Sequence, residues 1–202
     1  MGAVQREYGA MAARYDARWQ RYVERTTTLA LDALSLEAGT VMLDVGCGTG
    51  VLLQRALERE TGQACIGIDI TEAMLRQAAR RLPATVMLLR GSGTAVPRAS
   101  ASVDAVVSTS ALHYMHDSAL AVSEWYRVLR PSGVLVVCDW CTDYRTMRWL
   151  DRVLRLFNPA HERALNSAQL TALLADAGFC DVAVSRTRID RFWGMMTAHS
   201  VR

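Results

Sequence analysis

Val41-Met42-Leu43-Asp44-Val45-Gly46-Cys47-Gly48-Thr49-Gly50 is the stretch that decides the fold of this chain. Its apolar half, residues 41–45, predicts a β-strand, and its three alternating glycines predict a tight turn before a helix. Glycine is needed where φ is positive or where a ligand contacts the backbone. The helix N-terminus that follows offers unpaired N–H groups and the positive end of a dipole. The stretch therefore predicts a turn that binds a nucleotide-like ligand.

Strand-like and helix-like runs alternate on both sides of this turn. The sequence predicts strands over 41–45, 64–69, 85–89, 103–108 and 134–138, and helices over 50–61, 71–82 and 118–129. A helix over 167–177, capped by Ser167, and two strands over 181–188 and 192–201 follow. Short, nearly continuous apolar strands that alternate with helices are typical of a doubly wound α/β fold with a mostly parallel, here seven-stranded, sheet.

The whole chain, 1–202, is expected to form one domain, because 202 residues suit one full-sized core. Its predicted parts are a helical N-terminal cap over 1–40, a ligand-binding core over 41–140, an aromatic-rich lid insertion over 141–165, and a closing helix and strand pair over 166–202.

Composition narrows the functional classes. The net charge is +3, and all basic residues are arginines scattered along the chain, which argues against nucleic acid as a partner. The five cysteines lack the paired spacing of a zinc site, so we expect no metal. No apolar signal-like segment and no uncharged apolar run of membrane-spanning length occur, which predicts a cytoplasmic protein without a membrane span.

The glycine turn fits two ligand classes. Dinucleotide-binding proteins use G-x-G-x-x-G, whereas this turn reads Gly46-x-Gly48-x-Gly50 and follows an acidic residue, Asp44. Asp69 ends the second predicted strand, where a carboxylate can accept hydrogen bonds from ribose hydroxyls. Asp69 alone does not separate a nicotinamide dinucleotide from an adenosyl sulfonium, but the glycine spacing and Asp44 favour the sulfonium.

Four blocks carry a resemblance to a known family. They are Val41–Gly50; Gly67–Thr71 with Ala73–Leu75; Ser102–Ser108 with Leu112-His113; and Arg127–Leu135. Together they resemble the class I S-adenosylmethionine-dependent methyltransferases of the small-molecule, UbiE-like type, from about residue 8 to residue 140. The resemblance implies that S-adenosylmethionine is the cofactor and S-adenosylhomocysteine its product.

The resemblance also implies the cofactor-binding residues. The glycine turn would hold the methionine part, Asp44 its amino group and Asp69 the ribose, while Ile70 and Met74 flank the adenine; core filling is an equally good reading of Met74. The implied set is Tyr15, Asp44, Gly46, Cys47, Gly48, Asp69, Ile70, Met74, Gly91, Ser92, Gly93 and Ser110.

One position departs from the family pattern. After the third strand the family usually has Gly-Asp-Ala, and this chain has Gly91-Ser92-Gly93. A serine hydroxyl accepts a hydrogen bond without charge, and charge-assisted bonds are about twice as strong. The change predicts weaker anchoring of the adenine amino group.

The acceptor is expected at the carboxyl ends of the strands. His113, directly after the fourth strand, is the candidate base or acceptor-orienting group, and His161 in the insertion is the second candidate. Candidate acceptor-binding residues are aromatic: Tyr8, Trp19, Tyr114, Trp140 and Tyr144. A small, largely apolar or aromatic metabolite fits this lining best, and the cap and lid could also support a homodimer.

Two other function classes fit parts of the sequence. A nicotinamide-dependent oxidoreductase would be favoured by a Tyr-x-x-x-Lys pair, but the chain contains no lysine. A non-catalytic, methyltransferase-like binding or regulatory subunit would explain Ser92, but the intact glycine turn and Asp69 argue against it.

Overall fold

The computed structural model describes residues 2–35 and 37–202, and a seven-stranded sheet lies at its centre. The strands are β1 (Val41–Val45), β2 (Ala64–Asp69), β3 (Met87–Arg90), β4 (Val103–Thr109), β5 (Leu129–Trp140), β6 (Cys180–Arg188) and β7 (Gly194–Val201). The helices are α1 (Ala3–Met11), α2 (Tyr15–Asp32), α3 (Val51–Arg59), α4 (Glu72–Arg81), α5 (Ser118–Val128), α6 (Arg145–Phe157) and α7 (Ser167–Asp176). Short 3₁₀ turns span Ala12–Arg14 and Leu112–Tyr114.

The strand order is β3-β2-β1-β4-β5-β7-β6, and only β7 runs antiparallel to its neighbours. The predicted doubly wound, mostly parallel sheet of seven strands is therefore confirmed. In the middle of the sheet, Leu43 aligns with Ile66 on one side and with Val106 on the other. The strand order reverses between β1 and β4, so the crevice that binds ligands in such sheets opens at their carboxyl ends.

Helices cover both faces of the sheet, which explains the continuous apolar strands. Successive residues of a strand point to opposite faces, and both Met42 and Leu43 are fully buried. Leu43 packs into the cluster that contains Trp125, and Met42 into the cluster that contains Leu53 and Met147. Both faces of β1 are thus core, and the turn after it is anchored from both sides.

Several boundaries differ from the sequence-based prediction. The third strand lies at Met87–Arg90, on the edge of the sheet, rather than over 85–89. The fifth strand begins at Leu129 rather than at residue 134. Residues 130–133, expected to connect the preceding helix to this strand, form an irregularity within it, with Ser132 at a φ of 65°. Asn166, not Ser167, caps α7, because its side chain accepts from the Gln169 N–H.

Residues 141–165 contain a regular helix, α6, of 13 residues. Its inner side chains Met147, Leu150 and Leu154 pack into one core cluster, so the segment predicted as a lid is tied firmly to the sheet. None of the helices in the described part of the chain combines the length and the apolar character needed to cross a membrane.

Candidate active site

The turn after β1 requires glycine for two reasons. Gly46 has a φ of +81°, and a Cβ there would lie 2.5 Å from the Cβ of Ala111. Gly50 has the same φ of +81°, and a Cβ there would lie 2.8 Å from Leu82 Cδ1. The Gly46 and Cys47 N–H groups both donate to the Ile68 carbonyl, at 2.8 and 3.0 Å. These bonds hold the turn against the end of β2.

A cavity of about 400 Å³ opens beside this turn. We call it the cofactor cavity. Ten of the twelve predicted cofactor-binding residues line it: Tyr15, Gly46, Gly48, Asp69, Ile70, Met74, Gly91, Ser92, Gly93 and Ser110. Residues from the ends of β1, β2, β3 and β4 therefore meet in one space, as the strand order requires.

Asp69 joins the two loops that border the cavity. Its Oδ2 accepts from the Gly48 N–H at 2.9 Å, and its Oδ1 accepts from the Thr71 N–H at 2.7 Å. Burial raises the pKa of this carboxyl, and the two backbone bonds oppose that effect. Each carboxylate oxygen has a second lone pair, so Asp69 can still accept from the hydroxyls of a ribose.

Asp44 and Cys47 line a smaller cavity of about 50 Å³, which shares Gly46, Gly48 and Ser110 with the cofactor cavity. Asp44 is 1% exposed, and its Oδ1 has no hydrogen-bond partner among the described residues. Burial, and secondarily repulsion from Asp69, raises the pKa of Asp44 to about 8. An unpartnered buried carboxyl fits the ammonium group of a ligand that extends from the cofactor cavity past the glycine turn.

The predicted adenine end is built differently from the family pattern. The Ser92 hydroxyl pairs with the Thr94 hydroxyl at 2.8 Å and accepts from the Thr94 N–H at 3.2 Å. Asp117 also lines this cavity, but its Oδ1 caps α5 by accepting from the Leu120 N–H at 2.8 Å. Both hydroxyl and carboxylate retain free acceptor capacity toward the cavity.

Sequence reasoning missed several residues of this cavity. Those after β4 are Ala111, Met115, Asp117 and Leu120. Most of them follow the 3₁₀ turn at Leu112–Tyr114. The polar pair His116-Asp117 ahead of α5 is the sequence signal that could have placed this segment at the cavity.

A second cavity of about 270 Å³, which we call the aromatic cavity, shares Tyr8, Tyr15, Ser110 and Tyr114 with the cofactor cavity. Four of the five predicted acceptor-binding residues line it: Tyr8, Trp19, Tyr114 and Trp140. The aromatic cavity has further lining residues that were not predicted to bind the acceptor. They are Tyr22, Leu150, Leu154, Asn158, Phe192 and Trp193.

Tyr144 is not part of the aromatic cavity. Its ring lies beneath the Arg188 guanidinium, 4.5 Å from the ring centroid, and a Cβ at Gly194 would contact the ring at 2.0 Å. Tyr144 therefore packs against the β6–β7 pair, and its predicted acceptor contact is replaced by this structural one.

Tyr22 connects the two cavities. Its hydroxyl lies 2.6 Å from the Ser110 Oγ and accepts from the Trp140 indole N–H at 2.8 Å. Ser110 holds the left-handed conformation, with a φ of 52°, at the end of β4. Burial raises the pKa of Tyr22 well above its usual range, so this phenol stays neutral and acts as a hydrogen-bonding link.

His113 forms a buried dyad with Asp139. The His113 Nδ1 lies 2.5 Å from the Asp139 Oδ1, and the Asp139 Oδ2 accepts from the Leu112 N–H at 2.8 Å. A carboxylate that accepts on both oxygens keeps the proton of the imidazole on Nδ1, so Nε2 is the basic nitrogen. His113 lines the aromatic cavity, stacks on Trp140 with ring centroids 4.0 Å apart, and its Nε2 has no partner within the described parts of the chain.

His161 does not line either cavity. It is 5% exposed, its Nε2 lies 2.9 Å from the Asp151 Oδ1, and its ring centroid lies 5.6 Å from that of His113. Burial lowers the pKa of His161, against the opposing effect of Asp151. The structure thus places His161 behind His113, as packing support, rather than against an acceptor.

The N-terminal cap is fastened to the glycine turn. Asp16 accepts from the Thr49 hydroxyl at 2.6 Å and pairs with Arg81 at 2.5 Å, and Arg81 also donates to the Thr49 carbonyl at 2.6 Å. Tyr8 of α1 lies with its ring centroid 5.8 Å from Tyr15 and 5.4 Å from Tyr114. These contacts close the cap over both cavities.

The described residues contain no group of three or more histidine, cysteine or acidic side chains arranged to hold a metal ion.

Comparison with known proteins shows which family the chain resembles. Residues 43–137 match the family model described as a methyltransferase domain. A Mycolicibacterium smegmatis protein named "Probable S-adenosylmethionine-dependent methyltransferase" is 39% identical over 142 residues, which are 70% of this chain and 52% of that protein. The uncharacterized methyltransferase YdaC of Bacillus subtilis is 36% identical over 104 residues, 51% of this chain and 58% of YdaC. The chain spans about half the length of these curated relatives.

Solved structures agree on the fold. A Haloferax volcanii methyltransferase in complex with the Trm112 methyltransferase activator is similar with a TM-score of 0.82 at 22% identity, over 96% of this chain and 97% of that one. A SAM-dependent methyltransferase of Thermotoga maritima gives a TM-score of 0.77 at 18% identity, over 96% and 97% of the two chains. With the match of residues 43–137 and its seven-stranded sheet, the chain is similar to the class I S-adenosylmethionine-dependent methyltransferases.

Proposed function

We propose that this chain transfers a methyl group from S-adenosylmethionine to a small, largely apolar or aromatic acceptor bound in the aromatic cavity. The observation that carries the proposal is that the cofactor and aromatic cavities meet at Tyr8, Tyr15, Ser110 and Tyr114. A methyl donor on one side and an acceptor on the other would meet at this shared wall. The main contribution of a protein to such a transfer is to align the two reactants.

The cofactor fits the residues of the cofactor cavity. When bound, S-adenosylmethionine supplies an electrophilic methyl carbon, whose bond to sulfur breaks as the acceptor's bond to carbon forms. Asp69 would accept from the ribose hydroxyls, and the unpartnered Asp44 would pair with the ammonium group. The electron-rich ring of Tyr15, at the shared wall, suits a neighbouring sulfonium.

His113 would take the proton of an acceptor that must lose one. Its Nδ1 is committed to Asp139, which leaves Nε2 as the base, and its ring is fixed by stacking on Trp140. Burial of the unpartnered Nε2 supports this role, because such an atom gains a partner when an acceptor hydroxyl binds. His161 would support the dyad from behind and touch no reactant.

The test is a methyl-transfer assay with labelled S-adenosylmethionine and a panel of phenols, quinols and aromatic heterocycles. With an active phenol or quinol, His113→Gln should lower kcat by about 10²-fold or more, while the affinity for S-adenosylhomocysteine stays unchanged. Asp139→Asn should also lower kcat, because the imidazole loses its fixed tautomer. His199→Gln, on β7 and outside both cavities, is the matched control and should keep full activity.

Two outcomes would contradict parts of this proposal. If kcat holds in His113→Gln and only cofactor affinity falls, His113 serves the cofactor loop and the base role is wrong. If the protein binds S-adenosylhomocysteine but methylates nothing in a wide panel, the non-catalytic binding subunit becomes the better reading.

A further inference from the structure

Helix α6 carries apolar side chains on two opposite faces. The inner face packs into the core through Met147 and Leu154. On the outside, Trp149, Leu156 and Phe157 are 59%, 77% and 80% exposed. Trp149 and Leu156 are two helical turns apart, so they lie on the same side of the helix. Large apolar side chains grouped in this way mark an interaction surface, whereas scattered single ones do not.

The same exposed side of α6 is basic. Arg145, Arg148, Arg152 and Arg155 are all exposed, and none of them forms an ion pair with another described residue. The single acidic residue of α6, Asp151, is buried and bound to His161. The outer surface therefore combines four arginines with three apolar side chains and has no carboxylate of its own. We call these seven residues the α6 surface.

The α6 surface adjoins the aromatic cavity. Leu150 and Leu154, on the inner side of the same helix, line that cavity. Phe192, which is 36% exposed, lines it too, and its carbonyl accepts from the Thr146 hydroxyl of α6 at 2.7 Å. A bilayer or other surface that is bound by α6 would therefore lie next to the aromatic cavity, where the acceptor is proposed to bind.

We propose that the α6 surface docks on an anionic phospholipid bilayer, from which an amphiphilic acceptor enters the aromatic cavity. Arginines bind anionic headgroups, and tryptophan, leucine and phenylalanine insert at the boundary between headgroups and acyl chains. Charge complementarity and the adjacent apolar cavity favour a bilayer over an acidic protein. The acceptor class rests on the proposed function; the docking does not.

Docking is tested by sedimentation with vesicles of phosphatidylcholine, with and without phosphatidylglycerol. We expect binding only to the anionic vesicles, and weaker binding as salt is added. The double variant Arg152→Glu with Arg155→Glu should raise the half-saturating lipid concentration at least tenfold. Trp149→Ser should also weaken binding, because it removes an aromatic side chain that would insert at the boundary between headgroups and acyl chains. Trp149 is exposed, so this replacement costs no core packing.

The matched control is Arg25→Glu with Arg80→Glu, at exposed positions of α2 and α4. It changes the net charge equally and should bind anionic vesicles as the unchanged protein does. The proposal is overturned if the unchanged protein does not sediment with anionic vesicles, or if the control loses as much binding as the α6 variant.

A dimer disrupted by Trp149→Ser in light scattering, without vesicle binding, would assign the α6 surface to a second copy and would also overturn the proposal. Calorimetry with S-adenosylhomocysteine shows whether each variant keeps its cofactor site. A protein that binds vesicles but transfers no methyl group would refute the proposed function and leave the docking intact.

Discussion

Asp44 should release a proton when the cofactor binds. Its carboxyl is buried, and its pKa of about 8 makes it almost fully protonated at pH 6.5. An ammonium group beside it favours the carboxylate and lowers that pKa. Binding of S-adenosylhomocysteine at pH 6.5 should therefore release about one proton, and the association constant should fall about tenfold per pH unit on acidification from pH 7.5 to 5.5.

Isothermal titration calorimetry in two buffers of different ionisation enthalpy measures this proton directly. Asp44→Asn keeps the shape of the side chain and cannot ionise, so it should bind more weakly, release no proton and show a flat pH dependence. Asp69→Asn is the second control. Burial raises the pKa of Asp69 as well, so this variant shows whether the released proton comes from Asp69 instead of Asp44. If the unchanged protein releases no proton, or Asp44→Asn releases as many, Asp44 does not hold the ammonium group.

The same pKa has a consequence for the ligand-free protein. A carboxyl whose folded pKa is raised from 3.8 to about 8 destabilises the fold progressively as the pH rises between those values. The full effect is at most about 6 kcal/mol, at 1.36 kcal/mol per pKa unit. Asp44→Asn should therefore raise the Tm of the ligand-free protein at pH 8.5 and leave it nearly unchanged at pH 4. A Tm difference that is equal at both pH values would contradict the raised pKa.

Three further variants probe the cofactor cavity. Asp69→Ala should weaken S-adenosylhomocysteine binding by about 2–4 kcal/mol in calorimetry, through loss of charge-assisted bonds; an unchanged Kd would show that Asp69 is not at the ribose. Ser92→Asp should tighten binding if the adenine amino group lies there, and weaker binding would place the adenine elsewhere. Asp16→Ala removes the contact to Arg81 and should speed S-adenosylhomocysteine release in stopped flow. Asp32→Ala, which removes an exposed ion pair farther along α2, is its control and should leave the release rate unchanged.

The central part of the fold could be predicted from local sequence. The apolar run 41–45 and the following glycines could be read correctly because strand, turn and helix start are all set by adjacent residues. Asp69 could be placed at the cavity for a similar reason, since the carboxyl ends of parallel strands meet at one edge. These inferences need only the parallel direction of the strands, which the alternation of strands and helices predicts.

Contacts between distant segments could not be predicted. Tyr22 and Trp193 meet, with ring centroids 5.0 Å apart, only because β7 runs antiparallel and brings the preceding loop beside α2. Tyr144 was expected near the acceptor because its segment is aromatic, and His161 because it lies in the insertion. Composition does not give the direction of a side chain, and α6 turns Asp151 inward, where it binds His161 away from the cavity.

Native mass spectrometry of the purified protein tests the central claim most directly, namely that this chain binds S-adenosylmethionine at one cofactor site at the glycine turn. With S-adenosylmethionine added, we expect a mass increase of one cofactor per chain, displaced by S-adenosylhomocysteine and unaffected by NAD. Binding of NAD without binding of S-adenosylmethionine would contradict the claim.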